Sequence, residues 1–197
     1  MAVEPGPATD SVELYWLPLG AGGSFVRLNG RVYETVKALR ERRPRSDLYH
    51  SALVVRVPEG RFVIETAWPI PDDEPASRGV ALQGPVFSRR FARFRVCRYE
   101  VRRWRDGVIT DIAEAVASPQ RLTDDPERGR RVLDLVGAVP PLVWGRDELG
   151  TGDMWNSNSV IAWLLARSDL GADAIRPPVR GRAPGWRAGL VMARRIP

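Results

Sequence analysis

The residues best suited to chemistry in this 197-residue sequence are its single histidine, His50, and its single cysteine, Cys97. Histidine is the usual general base at neutral pH. One histidine and one cysteine supply neither an intrachain disulfide nor a structural zinc site. We therefore expect no metal and no cofactor. Cys97 lies within a predicted strand, where a lone cysteine is usually a small buried apolar residue.

A run of mainly polar residues, 153–159 (DMWNSNS), stands directly before an apolar, helix-forming segment, residues 160–165 (VIAWLL). Serine and asparagine are preferred helix caps, but capping needs only one of them. The unpaired N–H groups of a helix start also stabilise a developing anion. The run therefore indicates a site at the start of a helix, and its candidate binding residues are Asp153, Trp155, Ser157 and Asn158.

The elements that must position these residues follow from hydrophobic periodicity and turn signals. Predicted strands cover residues 12–19, 49–57, 61–68, 79–84, 94–104 and 186–194, and predicted helices cover residues 30–43, 109–117, 126–136 and 156–165. A turn at residues 58–60 makes a hairpin of the second and third strands. We expect a flexible lead-in over residues 1–11 and one α+β domain over residues 12–197.

Three segments together resemble the permuted NlpC/P60 peptidases, a papain-like group that includes the lecithin-retinol acyltransferase-like proteins. They are YHSALVV (residues 49–55), FVIE (residues 62–65) and NSVIAWLL (residues 158–165), and the resemblance spans roughly residues 48–168. It implies a papain-like domain with an antiparallel sheet packed against helices. Residues 145–159 and 181–186 are also similar to segments of bacterial proteins with no assigned activity.

The resemblance assigns His50 as the base, Glu65 as the residue that orients it, and Ser159 as the residue at the family's cysteine position. It implies a hydrolase or acyltransferase acting on an amide, ester or thioester. Serine is a weaker nucleophile than a thiolate, so the site is either a serine-type triad or an inactive relic. The substrate, a small molecule, peptide or lipid, is left open.

The hairpin register decides whether Glu65 shares a sheet face with His50, and the sequence allows both answers. If the numbers of two paired residues add up to 118, the side chains of His50 and Glu65 lie on opposite faces, whereas a sum of 117 places them on the same face. Asp147, Glu148 and Asp153 are alternatives for the orienting role.

Arginine dominates the basic residues, since Lys37 is the only lysine. Lys+Arg number 30 against 24 Asp+Glu, a formal net charge of +6. An arginine-rich surface with interleaved aromatic residues, over residues 89–105, gives an alternative function: a non-catalytic module that binds an anionic ligand or nucleic acid. Acidic residues throughout the chain argue against nucleic acid. Without a signal peptide or spanning segment, we expect a cytoplasmic protein.

Overall fold

The structure, a computed structural model, describes residues 9–19, 39, 42, 44, 46–69 and 78–195. The strands are β1 (Ser11–Pro18), β2 (Asp47–Val57), β3 (Gly60–Ala67), β4 (Val80–Pro85), β5 (Arg98–Arg105), β6 (Gln120–Thr123) and β7 (Gly181–Arg182). The α-helices are α1 (Pro126–Leu135), α2 (Ser157–Arg167) and α3 (Trp186–Arg195). The mixed class of helices and an antiparallel sheet is thus confirmed.

The sheet has the strand order β4-β5-β3-β2-β1-β6, and every neighbouring pair on this path is antiparallel. The short strand β7 pairs with β2 in parallel. Within the hairpin, Val57 pairs with Gly60 and Leu53 with Ile64. The residue numbers of each pair add up to 117, so Glu65 lies on the same face as His50.

The two faces of the sheet have different neighbours. On the first, which we call the helix face, the β2 residues Tyr49, Leu53, Val55 and Val57 belong to the main core, which also contains buried residues of all three helices. On the second, the histidine face, Ala52 of β2 belongs to a smaller cluster with Tyr15, Leu17, Val54, Val63 and Ile109. Side chains alternate along a strand, so His50 lies on the face of Ala52.

Local signals place several elements as predicted. The hairpin of β2 and β3 and the helices α1 and α2 are confirmed. Asp125 caps α1, accepting from the Glu127 N–H, and Pro126 occupies the first turn, where its missing N–H costs nothing. The glycine-rich residues 20–24 and most of the predicted helix over residues 30–43 lie outside the described residues.

Three element predictions are wrong. Residues 186–194, predicted as a strand, form the helix α3, which packs on α2 with Gly189 at the contact. Residues 109–117 contain only a 3-10 turn, Ile112–Glu114, instead of an α-helix. The predicted strand over residues 94–104 begins only at Arg98, after a second 3-10 turn, Arg95–Cys97, and β5 lies inside the sheet. Among the described residues, no helix is both long enough and apolar enough to cross a membrane.

Candidate functional site

The start of α2, the predicted nucleophile site, is a buried polar cluster. Asn156 caps the helix by accepting from the Asn158 N–H, and the Ser159 hydroxyl accepts from the Asn156 N–H at 3.0 Å. The same hydroxyl donates to the Gly185 carbonyl at 2.8 Å, and Ser159 has no exposed surface. The bonds of Ser159 are therefore those of a helix cap and a loop anchor.

Asn158 joins the helix to two other parts of the chain. Its side-chain oxygen accepts from the Ser51 hydroxyl at 2.8 Å, and its side-chain nitrogen donates to the Tyr49 carbonyl at 2.9 Å and the Pro184 carbonyl at 2.8 Å. The residue is 2% exposed. Because every polar atom of this amide is bonded within the protein, Asn158 fastens α2 to β2 and to the loop before α3.

The other predicted binding residues are also part of this packing. Trp155 is buried and donates from its indole nitrogen to the Tyr99 hydroxyl at 3.2 Å. Asp153 accepts from the Gly185 N–H at 2.7 Å, and Ser157 is buried in the first turn of α2. Gly185 has φ +92°, and a Cβ atom there would lie 2.2 Å from the Asn156 side-chain oxygen. The structure thus places these residues within the core and its loops.

The structure does not bring His50 and Ser159 together. Ser51 faces Asn158 at the start of α2, and neighbouring residues of a strand point to opposite faces. His50 therefore points to the histidine face, on the other side of the sheet from Ser159. The predicted Ser159–His50 pair is corrected for this reason.

On the histidine face, His50 has a carboxylate partner that the sequence did not suggest. Its Nε2 atom lies 3.8 Å from Oδ2 of Asp111, and the two side chains are 28% and 16% exposed. The neighbouring imidazole holds the pKa of Asp111 below its ordinary value, although burial works against it. Asp111 follows Ile109 of the small cluster, so packing of that loop sets its position.

Glu65 is the second acid near His50. Burial raises the pKa of its carboxyl above the ordinary glutamate value, while the Arg102 guanidinium and the His50 imidazole oppose the shift. The Glu65 Oε1 atom lies 3.5 Å from an Arg102 guanidinium nitrogen. Asp111 and Glu65 thus have pKa values shifted in opposite directions beside one imidazole.

A buried ionic network continues from Glu65 across the histidine face. Arg102 donates to Glu100 at 3.1 Å, and Arg78 donates to Glu100 at 3.2 Å. All three residues are buried, Glu100 completely. Gln83 also donates to Glu100. Because ionic groups are costly to remove from water, each charge in this network depends on its partners.

The alternative orienting acids lie elsewhere. Asp147 accepts from the N–H groups of Thr151 and Gly152 in its own loop. Glu148 accepts from the Val143 N–H and pairs with Arg89. Within the described residues, no group of three or more histidine, cysteine and acidic side chains is arranged to hold a metal ion.

No local sequence pattern predicted Asp111 as the partner of His50, because the two residues are 61 positions apart in the sequence.

Cys97 lies in a 3-10 turn, partly buried, instead of within a strand. Many arginines elsewhere form surface ion pairs, among them Arg130–Glu59 and Arg131–Asp169.

Comparison with protein-family models, with curated proteins and with solved structures gives no match for this chain.

Proposed function

We propose that this chain is a hydrolase in which His50 activates water for attack on an amide, ester or thioester. The observation that carries the proposal is the pairing of a partly exposed His50 with Asp111, Nε2 to Oδ2 at 3.8 Å. A histidine oriented by a carboxylate is the common arrangement for a general base. Water takes the place of Ser159, whose hydroxyl is engaged on the other side of the sheet.

The roles of the three titratable groups follow from their surroundings. An ionised Asp111 beside Nε2 favours the His50 tautomer that carries its proton on Nε2, which leaves Nδ1 to take a proton from water. The resulting hydroxide forms the C–O bond at the substrate carbonyl. The imidazolium then donates this proton to the leaving group as its bond to carbon breaks, which returns His50 to its neutral form. Glu65, ion-paired with Arg102 at 3.5 Å, adds a second carboxyl beside the imidazole.

The proposal keeps the reaction class of the NlpC/P60 resemblance but changes the site. An antiparallel sheet with helices on one face supports a papain-like arrangement only in this coarse sense. In the resemblance, the base serves a nucleophile at a helix start, whereas here His50 lies on the opposite face. The papain-like assignment therefore stays a proposal, and it rests on the sequence segments.

The test is hydrolysis of a panel of aryl esters, acyl thioesters and peptide amides by the purified chain. We expect His50→Gln to lower kcat/KM by about 100-fold or more, the usual contribution of a general base. Asp111→Asn should also lower kcat/KM, because it removes the charge that orients the imidazole. The matched control is Asp106→Asn, an exposed acid in the same part of the chain, which should leave kcat/KM unchanged.

Two outcomes would refute the proposal. Turnover that survives His50→Gln would assign the reaction to other residues. No turnover of any class in the panel, with the fold intact, would identify the histidine face as inactive in hydrolysis.

A further inference from the structure

The connection between β4 and β5, residues 86–97, exposes apolar side chains that the fold leaves uncovered. Phe87 is 71% exposed, Phe91 51%, Phe94 48% and Val96 81%. Scattered exposed apolar residues are ordinary, but a group of four in one connection indicates an interaction surface. We call residues 86–97 the phenylalanine loop.

Charge identifies the kind of partner. Residues 86–97 contain four arginines and no acidic residue. Arg89, Arg90, Arg93 and Arg95 are exposed together with the apolar residues. Glu148 pairs with Arg89 at 3.3 Å. The loop therefore presents apolar side chains surrounded by positive charge. This combination is complementary to a surface with an anionic outer layer over an apolar interior.

The loop is held in this form by its own bonds. Ser88 caps the first 3-10 turn, Arg89–Arg93, and the Phe94 N–H donates to the Phe91 carbonyl. The Arg98 guanidinium, at the start of β5, donates to the carbonyls of Ala92 and Arg93. The exposure of the phenylalanines is thus a feature of a bonded structure.

Phe87 adds an independent observation. Its φ is +59°, in the left-handed region that a bulky residue rarely adopts. This conformation gains little packing, since the side chain is mostly exposed. Strained residues concentrate at functional positions.

We propose that the phenylalanine loop docks this chain on an anionic lipid membrane surface. The phenylalanines and Val96 enter the interface between headgroups and acyl chains, and the arginines bind the headgroups, as in other interfacial segments that pair aromatic with basic residues. The proposal is independent of the hydrolase activity.

Two details favour a membrane over single-stranded nucleic acid. Val96, the most exposed of the four apolar residues, has no ring on which a base can stack. The Arg93 guanidinium carbon lies 4.7 Å from the centre of the Phe94 ring, so it covers one face of that ring. Both features fit insertion into lipid, where apolar area counts and stacking does not.

The test is co-sedimentation of the full chain with phosphatidylcholine vesicles, with and without phosphatidylserine. We expect binding only to the vesicles that contain phosphatidylserine, and weaker binding as salt is raised. Removing Arg90 and Arg93 together should weaken binding by about 10-fold or more, since each basic residue near such a surface contributes about fivefold in affinity. Phe91→Ser with Phe94→Ser should weaken it at least as much.

The chain offers matched controls. Val179 is 90% exposed and also has arginines beside it in sequence, so Val179→Ser controls for the loss of an exposed apolar side chain outside the loop. Arg180→Ala with Arg187→Ala controls for the arginine pair, since both are exposed. We expect the controls to bind vesicles as the parent does, and thermal unfolding shows that each variant folds.

Three results would overturn the proposal. They are no binding to either kind of vesicle, equal binding to neutral and anionic vesicles, and loss of binding in the control variants as large as in the loop variants. A single-stranded oligonucleotide is tested in parallel. Binding of the oligonucleotide that depends on the loop, without binding to vesicles, would assign the loop to nucleic acid instead.

Discussion

On the helix face of the sheet the buried polar side chains around α2 are neutral and bonded largely to backbone, whereas on the histidine face they are charged. Asn158 and Ser159 bond to carbonyls and N–H groups of neighbouring segments. Glu100 and Arg102 depend on each other's charge instead. Neutral side chains whose polar atoms bond largely to the backbone hold the packing in place, while charged side chains beside a partly exposed histidine can exchange protons. For this reason we assign packing to the helix face and chemistry to the histidine face.

The largest effect is expected from Glu100→Ala. It leaves Arg78 and Arg102 buried without their shared carboxylate, and breaking such a group costs about 3–5 kcal/mol of the free energy of unfolding. Urea unfolding measures the loss, and Glu114→Ala, at an exposed acid of a 3-10 turn, should change stability by less than about 0.5 kcal/mol. A loss for Glu100→Ala as small as that of the control would contradict the buried ionic network.

On the helix face, Asn158→Ala should lower the free energy of unfolding by about 2–3 kcal/mol, because it leaves the buried Ser51 hydroxyl without its acceptor and the Tyr49 carbonyl without this donor. This variant removes no charge, so its loss should be smaller than the loss from Glu100→Ala. Urea unfolding compares the two variants. If the two losses were equal, the contrast between the faces would fail.

Glu65→Gln should change how stability depends on pH. Burial raises the folded-state pKa of Glu65, so its contribution is fully present below the ordinary glutamate pKa and is lost as pH rises through the raised value. The stability of the parent minus that of Glu65→Gln should therefore fall with rising pH in this window and then level off. A difference that stayed constant or rose with pH would contradict a buried Glu65.

The smallest effect is expected at Ser159. Its hydroxyl belongs to the capping box of α2, so Ser159→Ala should cost about 1 kcal/mol of stability and leave kcat/KM unchanged. A serine-reactive phosphonate probe should not label the folded parent, because the hydroxyl is buried and bonded to Gly185. Labelling that is lost in both Ser159→Ala and His50→Ala would restore the serine mechanism.

Local patterns predicted much of the fold. The hairpin was predictable because β-branched runs flank a short turn, and α1 because Asp125 and Pro126 are a cap and a first-turn residue. The helix α3 was not, because residues 186–194 suit either period. What decides for a helix is packing on α2, where Gly189 allows close approach: a Cβ there would lie 2.2 Å from the Ser159 carbonyl oxygen.

The sequence by itself determined that His50 is the one imidazole available for proton transfer and that a capped apolar helix begins near residue 157. It did not determine whether these two features lie together, and in the structure they lie on opposite sides of the sheet. Both alternating sets of residues in β2 are largely apolar, so only the tertiary structure decided which set faces the helices. It placed Ser51 beside α2 and His50 on the other side. The pairing of His50 with Asp111 was likewise decided only by folding, because loop packing joins residues that no local pattern connects.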